Sequence, residues 1–316
     1  MDVVYKLTMT NSKKIKIGSR GSPLALKQVE MVKAALGPEV ETETVIIKTS
    51  GDWNPADGEV ALPDHEGGKA LFAKEIEEAL LADEIDVAVH SMKDMDSTLP
   101  EGLIIPCMLP REDPRDALIT RTGATLDDLP EDAVVGTTSP RRKAFLLARK
   151  RSLKIVPFRG NVGTRLEKLK SADVDATVLA VAGLKRLGLA GEITQILDKK
   201  DMIPAAGQGA IGLELKAKNE QLIAKFSQIN CLNTNICVNA ERSFIQEIGG
   251  SCHTPVGAHA ILENNKVFLQ VMLASEDGNK FWSDEICGEA STSEEAIQLG
   301  KKLGESLKSR LPEGVI

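Results

Sequence analysis

Between Lys14 and Leu36 the apolar positions first alternate (Ile15, Ile17). After the turn Gly18-Ser19-Arg20-Gly21 they recur at helical spacing (Ala25, Val29, Val32, Leu36). This predicts a short strand and then an amphipathic helix, with Ser22 as its N-cap and Pro23 as its first residue. A second strand is expected at 45–47, and residues 51–68, which hold Trp53, Pro55, Gly58 and Pro63 without sustained periodicity, read as a long loop. A helix is expected over about 70–81. The apolar run 86–89, ending at His90-Ser91-Met92-Lys93-Asp94, has the character of a buried parallel strand. The middle of the chain repeats the unit. Val134-Val135 leads through Thr137, Thr138 and Ser139 into a helix at Pro140, Ile155-Val156 leads through Arg159-Gly160 into one near Asn161, and 176–180 runs into one near Gly183. Strands alternating with helices predict parallel sheets covered on both faces. A glycine-containing apolar segment at 205–214 and a polar helical stretch reaching Asn230 follow. The remainder, with helices at 240–248 and 293–311 and strands at 256–262 and 267–274, has the pattern of a small α+β domain.

With 316 residues the chain exceeds what one core usually serves, so two or three domains are expected. Its net charge of -7 opposes non-specific attraction to nucleic acid, and an aromatic share of 3% offers little stacking surface for single strands. No apolar run suits a signal peptide or the ~18 residues of a membrane helix, so a cytoplasmic location without membrane association is expected. The five cysteines (Cys107, Cys231, Cys237, Cys252, Cys287) are odd in number and scattered, which argues against a disulfide framework or a metal site.

Candidate chemistry gathers where strands hand over to helices, because helix N-termini expose unpaired N–H groups and the positive end of the dipole. The junctions are Ser19-Arg20-Gly21-Ser22, then Thr137 to Arg142, then Arg159-Gly160-Asn161 with Arg165 one turn on. In open α/β sheets ligands sit at the carboxyl ends of strands. Several arginine forks converging there point to a ligand with many negative groups. The absence of a Walker-type loop favours carboxylate over nucleotide phosphate. The plainer alternative is that Arg141, Arg142, Arg149 and Arg151 form a solvated helix face. Asp94 could equally be a turn residue or an N-cap. Cys252, after Gly249-Gly250-Ser251 and before Pro255, falls in a loop; His253 and His259 lack partners at metal-ligand spacing.

Five motifs carry a resemblance over nearly the whole chain: Gly18-Ser-Arg-Gly-Ser-Pro-Leu-Ala-Leu26, His90-Ser-Met-Lys-Asp94, Arg159-Gly-Asn-Val-Gly-Thr-Arg165, Ala180-Val-Ala-Gly-Leu-Lys-Arg-Leu-Gly188 and Gly207-Gln-Gly209. In this order they resemble the porphobilinogen deaminases. The resemblance implies an α/β chain with two periplasmic-binding-protein-like (type II) domains around a cleft, plus a small α+β C-terminal domain. The implied division is 1–109 with 205–228, then 110–204, then 229–316.

The implied activity is a transferase of haem and tetrapyrrole biosynthesis. Four porphobilinogen molecules are condensed head to tail, with loss of ammonia, into hydroxymethylbilane on a dipyrromethane cofactor held by a thioether to Cys252. Asp94 matches the catalytic carboxylate. Lys93, Ser91, Thr137, Ser139, Arg141, Arg142, Arg159 and Gly160 match cofactor contacts. Arg20, Ser22, Thr138, Arg165, Arg186, Gln208, Lys69 and Phe72 match contacts to substrate, the last two at the end of a lid-like loop. Porphobilinogen and the growing polypyrrole are the partners implied; no nucleic acid, membrane or obligate protein partner is. The chain departs from the family pattern at Ser251 and Ala70 and in a longer 52–68 loop. A pure binding protein of the same architecture would need neither Asp94 nor a loop thiol, and a nucleic-acid module would conflict with the acidic charge.

Overall fold

The computed structural model describes residues 14–51, 72–251, 253–312 and 315. Its first strand, β1 (Ile15–Ser19), ends at the Gly-rich turn, and Ser22 Oγ accepts from the Ala25 N–H at 3.2 Å to cap α1 (Pro23–Leu36). Val29, Val32 and Leu36 of α1 are buried on the sheet, as their spacing predicts. The strand expected at 45–47 is β2 (Thr42–Ile46), and α2 (Lys74–Leu81) covers the described part of the next predicted helix. The predicted loop lies outside the described residues, apart from its first residue. β3 (Val87–Ser91) then leads into a 3₁₀ turn, Met92–Asp94.

Two strands escaped the sequence pattern. β4 (Leu103–Met108) closes one edge of the first sheet, and β5 (Asp116–Thr120) begins the second. β6 (Val134–Gly136), α3 (Pro140–Arg149), β7 (Lys154–Val156), α4 (Val162–Lys170), β8 (Ala176–Ala180) and α5 (Val181–Arg186) follow the predicted alternation, and the short β9 (Gln195–Ile196), a third strand that the pattern missed, pairs with β5. The chain then returns to the first sheet as β10 (Ile211–Lys216).

Both sheets are mixed, not parallel as the alternation alone predicts. Their orders are β2-β1-β3-β10-β4 and β7-β6-β8-β5-β9, with β10 and β5 running antiparallel to their neighbours. The reason is connectivity. In each sheet the reversed strand is the one entered directly from the other sheet, so it arrives without a βαβ crossover and is free to pair antiparallel. Each sheet thus has the same order, with three parallel strands, one exchanged strand and an edge. This is the doubled type II periplasmic-binding-protein architecture that the resemblance implies.

The two chain crossings, 109–115 and 197–210, lie side by side: the Glu112 N–H donates to Gly209 O at 3.1 Å and Arg111 Nε to Gln208 O at 2.9 Å. Gly209 has φ +88°, and a Cβ there would stand 2.4 Å from Glu112 O. Only glycine permits this approach.

After α6 (Glu220–Ser227) comes α7 (Leu232–Ile248), which starts well before the predicted position 240. Its first turns are polar, and tertiary partners satisfy them: Thr234 Oγ1 accepts from the Arg111 N–H, and Asn235 Oδ1 from Ser293 Oγ. β11 (Val256–Glu263) and β12 (Lys266–Ala274) form a hairpin across Asn264-Asn265, both at positive φ as a two-residue turn requires. β13 (Phe281–Glu289), a fourth missed strand, pairs with β12, and α8 (Ser293–Lys308) packs with α7 over a core around Phe244, Leu269 and Leu303. Glu241 of α7, fully buried, joins this part to the crossings. Its carboxylate accepts from Arg111 Nη1 (2.6 Å) and Nη2 (3.1 Å), from the Gly207 N–H (2.7 Å), and from the Ala260 N–H on the β11 edge (2.7 Å).

Gly209→Ala is expected to lower the unfolding free energy by about 2 kcal/mol or more, since it combines a strained φ with a backbone clash. Denaturant titration checks this. A wild-type midpoint and slope would show that the crossings are not as closely apposed as described.

Candidate active site

The carboxyl ends of β3 and β6 open onto one cleft of about 580 Å³, closed on a third side by Arg242 and Ile245 of α7 and by Gly250, Ser251, Thr254 and Val256. Lys93 and Asp94 reach it from the first sheet; Thr137, Thr138, Ser139, Arg141 and Arg142 reach it from the second. Arg165 enters from α4 and Gln208 from the second crossing. Strand-to-helix junctions well separated in sequence therefore meet in one place, as expected for ligand sites in open α/β sheets.

The N-terminus of α3 carries most of the charge. Ser139 caps it through the Arg142 N–H, and Thr137 Oγ1 accepts from the Ser139 N–H. Arg141 and Arg142 are 4% and 6% exposed. Arg141 donates to Ile203 O at 2.7 Å and Arg142 to Val178 O at 2.8 Å. Both also grip Asp116, the first residue of β5: Arg142 holds Oδ1 through Nε (3.0 Å) and Nη2 (2.8 Å), and Arg141 Nη2 reaches Oδ2 at 2.8 Å. The solvated-face reading fails for these two. It holds for Arg149, whose half-exposed side chain pairs with Asp127, while Arg151 lies past the end of α3 and donates to the carbonyls of Asp277 and Gly278.

Burial pushes the Asp116 carboxyl up, but the charges of Arg141 and Arg142 more than offset it and bring its pKa down to about 2. Lys93, partly open to the cleft yet closely surrounded, is held below the ordinary lysine value by burial. Asp94 opposes that shift, and Arg142 adds to it. Around the start of α3, the cations of Lys93, Arg141 and Arg142 thus outnumber the carboxylates of Asp94 and Asp116.

Asp94 lines the large cleft and also a smaller recess of about 70 Å³ beside it, as do Phe72 and Met95. Arg20, Ser22 and Ser91 line that recess. The Arg20 guanidinium lies 4.2 Å from the centre of the Phe72 ring, a cation–π contact, and Ser91 Oγ accepts from Gln28 Nε2 at 2.8 Å. Ser22 therefore both caps α1 and faces the recess. Arg242 of α7, which also lines the cleft, donates to the carbonyls of Met95 and Asp96 just after Asp94. Burial lowers its pKa to about 10, still charged at neutral pH.

Three expected contacts do not line either cavity. Arg159 and Gly160 turn their carbonyls to Lys168 Nζ and Arg165 Nε, so this junction fixes the start of α4 and the setting of Arg165. Arg186 donates to Gly209 O at 2.6 Å, which puts it against the second crossing. Lys69 and Cys252 lie outside the described residues. Of the other cysteines, Cys107 and Cys237 are buried, which pushes each thiol up to about 12 and leaves them unreactive.

Sequence reasoning missed Asp116 and Arg242. An aspartate opening an otherwise apolar run, Asp-Ala-Leu-Ile-Thr, was an available signal for the first; nothing in the α7 periodicity marks the second. Gln208 Nε2 donates to Pro114 O (2.6 Å) and Asp116 Oδ1 (3.2 Å), while its buried Oε1 has no hydrogen-bond partner.

Two family models match the chain: porphobilinogen deaminase, dipyromethane cofactor binding domain, over residues 15–224, and porphobilinogen deaminase, C-terminal domain, over 235–309. The chain is 44% identical over 308 residues to the chloroplastic porphobilinogen deaminase of Oryza sativa subsp. japonica, covering 95% of this chain and 85% of that one. It is 42% identical over 296 residues to the porphobilinogen deaminase of Alkaliphilus metalliredigens, covering 93% and 92%. It is also 42% identical over 300 residues to that of Francisella tularensis subsp. holarctica, covering 93% and 96%. Among solved structures, a putative lipoprotein from Ruminococcus gnavus aligns over 69% of this chain and 91% of its own, with TM-score 0.43 and 13% identity. The ligand-binding component of an ABC-type import system from Staphylococcus aureus aligns over 73% of each chain, with TM-score 0.40 and 14% identity.

Because the folded-state pKa of Asp116 is depressed, its ion pairs stabilise the protein fully above the ordinary carboxylate value and are lost as pH falls from about 4 towards 2. The shift corresponds to about 2 kcal/mol. The stability difference between wild type and Asp116→Asn, from urea unfolding at about pH 6 and about pH 2.5, should shrink by that order. A difference independent of pH would contradict the pairing.

Proposed function

The chain belongs to the porphobilinogen deaminase family and is a transferase of tetrapyrrole synthesis, and from this we propose that the described cleft is where porphobilinogen units are condensed into hydroxymethylbilane, with Asp94 as the catalytic carboxylate. The family's cofactor is dipyrromethane, and the residues present suit it. Lys93, Arg141 and Arg142 supply cations for its carboxylates, Thr137 and Ser139 supply hydroxyls, and the partnerless Gln208 Oε1 supplies an acceptor of the kind a pyrrole N–H needs. We assign its attachment to Cys252. When bound, it supplies the free pyrrole α-carbon on which condensation starts.

The observation that carries the reading is the position of Asp94 at the junction of the two cavities. Arg20, Ser22 and Phe72 on the recess side would hold the incoming porphobilinogen by its carboxylates and ring, with Thr138 and Arg165 reaching it from the cleft side. Protonation of its aminomethyl nitrogen and heterolysis of the C–N bond release ammonia and leave an azafulvenium cation. The α-carbon of the acceptor pyrrole forms the new C–C bond to it, then loses its proton. The Asp94 carboxylate would face that cation as it develops and stabilise it electrostatically, an effect worth several kcal/mol once bound ligand displaces water from the cleft.

Lys69, Arg159, Gly160, Ser91 and Arg186 remain assigned to ligand binding on the resemblance. For Arg159, Gly160 and Arg186 this requires the lining to change on ligand entry. The two sheets and the C-terminal α+β layer support the domain division 1–109 with 205–228, 110–204 and 229–316. Among the described residues no helix is long and apolar enough to cross a membrane, and we place the enzyme in the cytoplasm.

Asp94→Asn keeps the size and shape of the side chain and removes its charge. In protein first loaded with preformed tetrapyrrole and verified by mass, kcat is expected to fall about 100-fold or more, with KM changing far less. Turnover within a few-fold of wild type would remove Asp94 from the catalytic role.

A further inference from the structure

Asp116, buried behind the cleft wall against Arg141 and Arg142, is a charged group that the resemblance does not assign. It is fully buried, stands where the first crossing enters the second sheet, accepts hydrogen bonds from Arg142 and Gln208 on Oδ1, and forms an ion pair with Arg141 through Oδ2. Arg141 and Arg142 are neighbours in sequence at the start of a helix, and consecutive helical residues do not face each other. Their guanidinium groups nevertheless converge, because each takes a different oxygen of the same carboxylate. Without that carboxylate, two buried guanidinium groups and the nearby Lys93 would repel one another, and nothing described would bring the forks together. The same Oδ1 accepts from Gln208 on the second crossing, so Asp116 lies where the chain both enters and leaves the second sheet.

We propose that Asp116 is a positioning residue: it fixes the Arg141 and Arg142 forks towards the cleft and ties their setting, through Gln208, to the crossings between the two sheets. The inference rests on the functional reading above, in which those arginines receive ligand carboxylates. Asp116 itself touches no ligand. It is an internal counter-charge that satisfies part of each fork and leaves the pair net positive, so that an arriving carboxylate meets cations already in place.

The test compares wild type with Asp116→Asn, Asp116→Glu, Arg142→Leu and the double variant Asp116→Asn/Arg142→Leu. It measures KM and kcat for porphobilinogen, the mass distribution of the protein as purified, and the thermal midpoint. Asp116→Asn should raise KM roughly tenfold or more while kcat falls less, and should enrich masses lacking the pyrrole addition or arrested early in the one-pyrrole ladder. In the Arg142→Leu background the further rise should be under about twofold, because the effect passes through that fork. A merely structural role would lower the midpoint, add independently to Arg142→Leu, and leave KM and the mass ladder of the folded fraction as in wild type; that result overturns the proposal. If Asp116→Asn does not fold, Asp116→Glu decides. It keeps the charge but displaces both forks by a methylene, so KM must still rise several-fold, and a folded Glu variant with wild-type KM and masses overturns the proposal equally. Wild type run alongside separates the two readings. If wild type itself carries no pyrrole mass, the functional reading fails; if it does and KM does not move, only the positioning role fails.

Discussion

Two guanidinium groups share one buried carboxylate at the start of α3, and the rest of the cleft is arranged around that pairing. Taking three charges out of water costs several kcal/mol per ion unless they are closely paired and hydrogen-bonded. Asp116 meets only part of that need. Carbonyls of Ile203 and Val178 meet more, and the remainder is a net positive wall open to the cleft. Such a wall is poor design for stability and good design for holding carboxylates. The depressed Asp116 pKa, the lowered Lys93 and the buried arginines follow from the same arrangement.

That wall is useful only if the opposing wall is held in register. The crossings supply this: they lie against one another, with Gly209 permitting the close approach, and Glu241 accepts four hydrogen bonds from Arg111, Gly207 and Ala260 at the point where the C-terminal layer meets them. Arg242, the next residue of α7, reaches the opposite way to the carbonyls that follow Asp94. Adjacent residues of one helix thus anchor the crossings and the segment that follows Asp94. This couples the C-terminal layer, which contributes Gly250, Ser251 and Thr254 to the cleft, to both.

The sequence showed most of this where a local rule applied. Ser22, Ser139 and Asn161 announce helix starts because capping is local, and the junctions they mark do line the cleft or support it. Sheet direction was misread because the order of pairing depends on where the chain crosses, and no periodicity encodes that. β4, β5, β9 and β13 were missed: the first two sit beside the crossings, β9 has only two residues, and β13 alternates weakly around Trp282 and Ile286. Glu241 and Arg242 were invisible because their roles consist of partners distant in sequence. Arg141 and Arg142 could be told from the solvated Arg149 and Arg151 only by burial.

The central claim is that this cationic cleft serves a pyrrole chain carried on Cys252, and the most direct measurement is the intact mass of the purified protein, followed by peptide mapping of any addition. The account predicts a mass excess of one two-pyrrole unit, confined to the peptide containing Cys252 and absent from Cys252→Ser. A bare chain mass, or an addition mapped to Cys107, Cys231, Cys237 or Cys287, would contradict it.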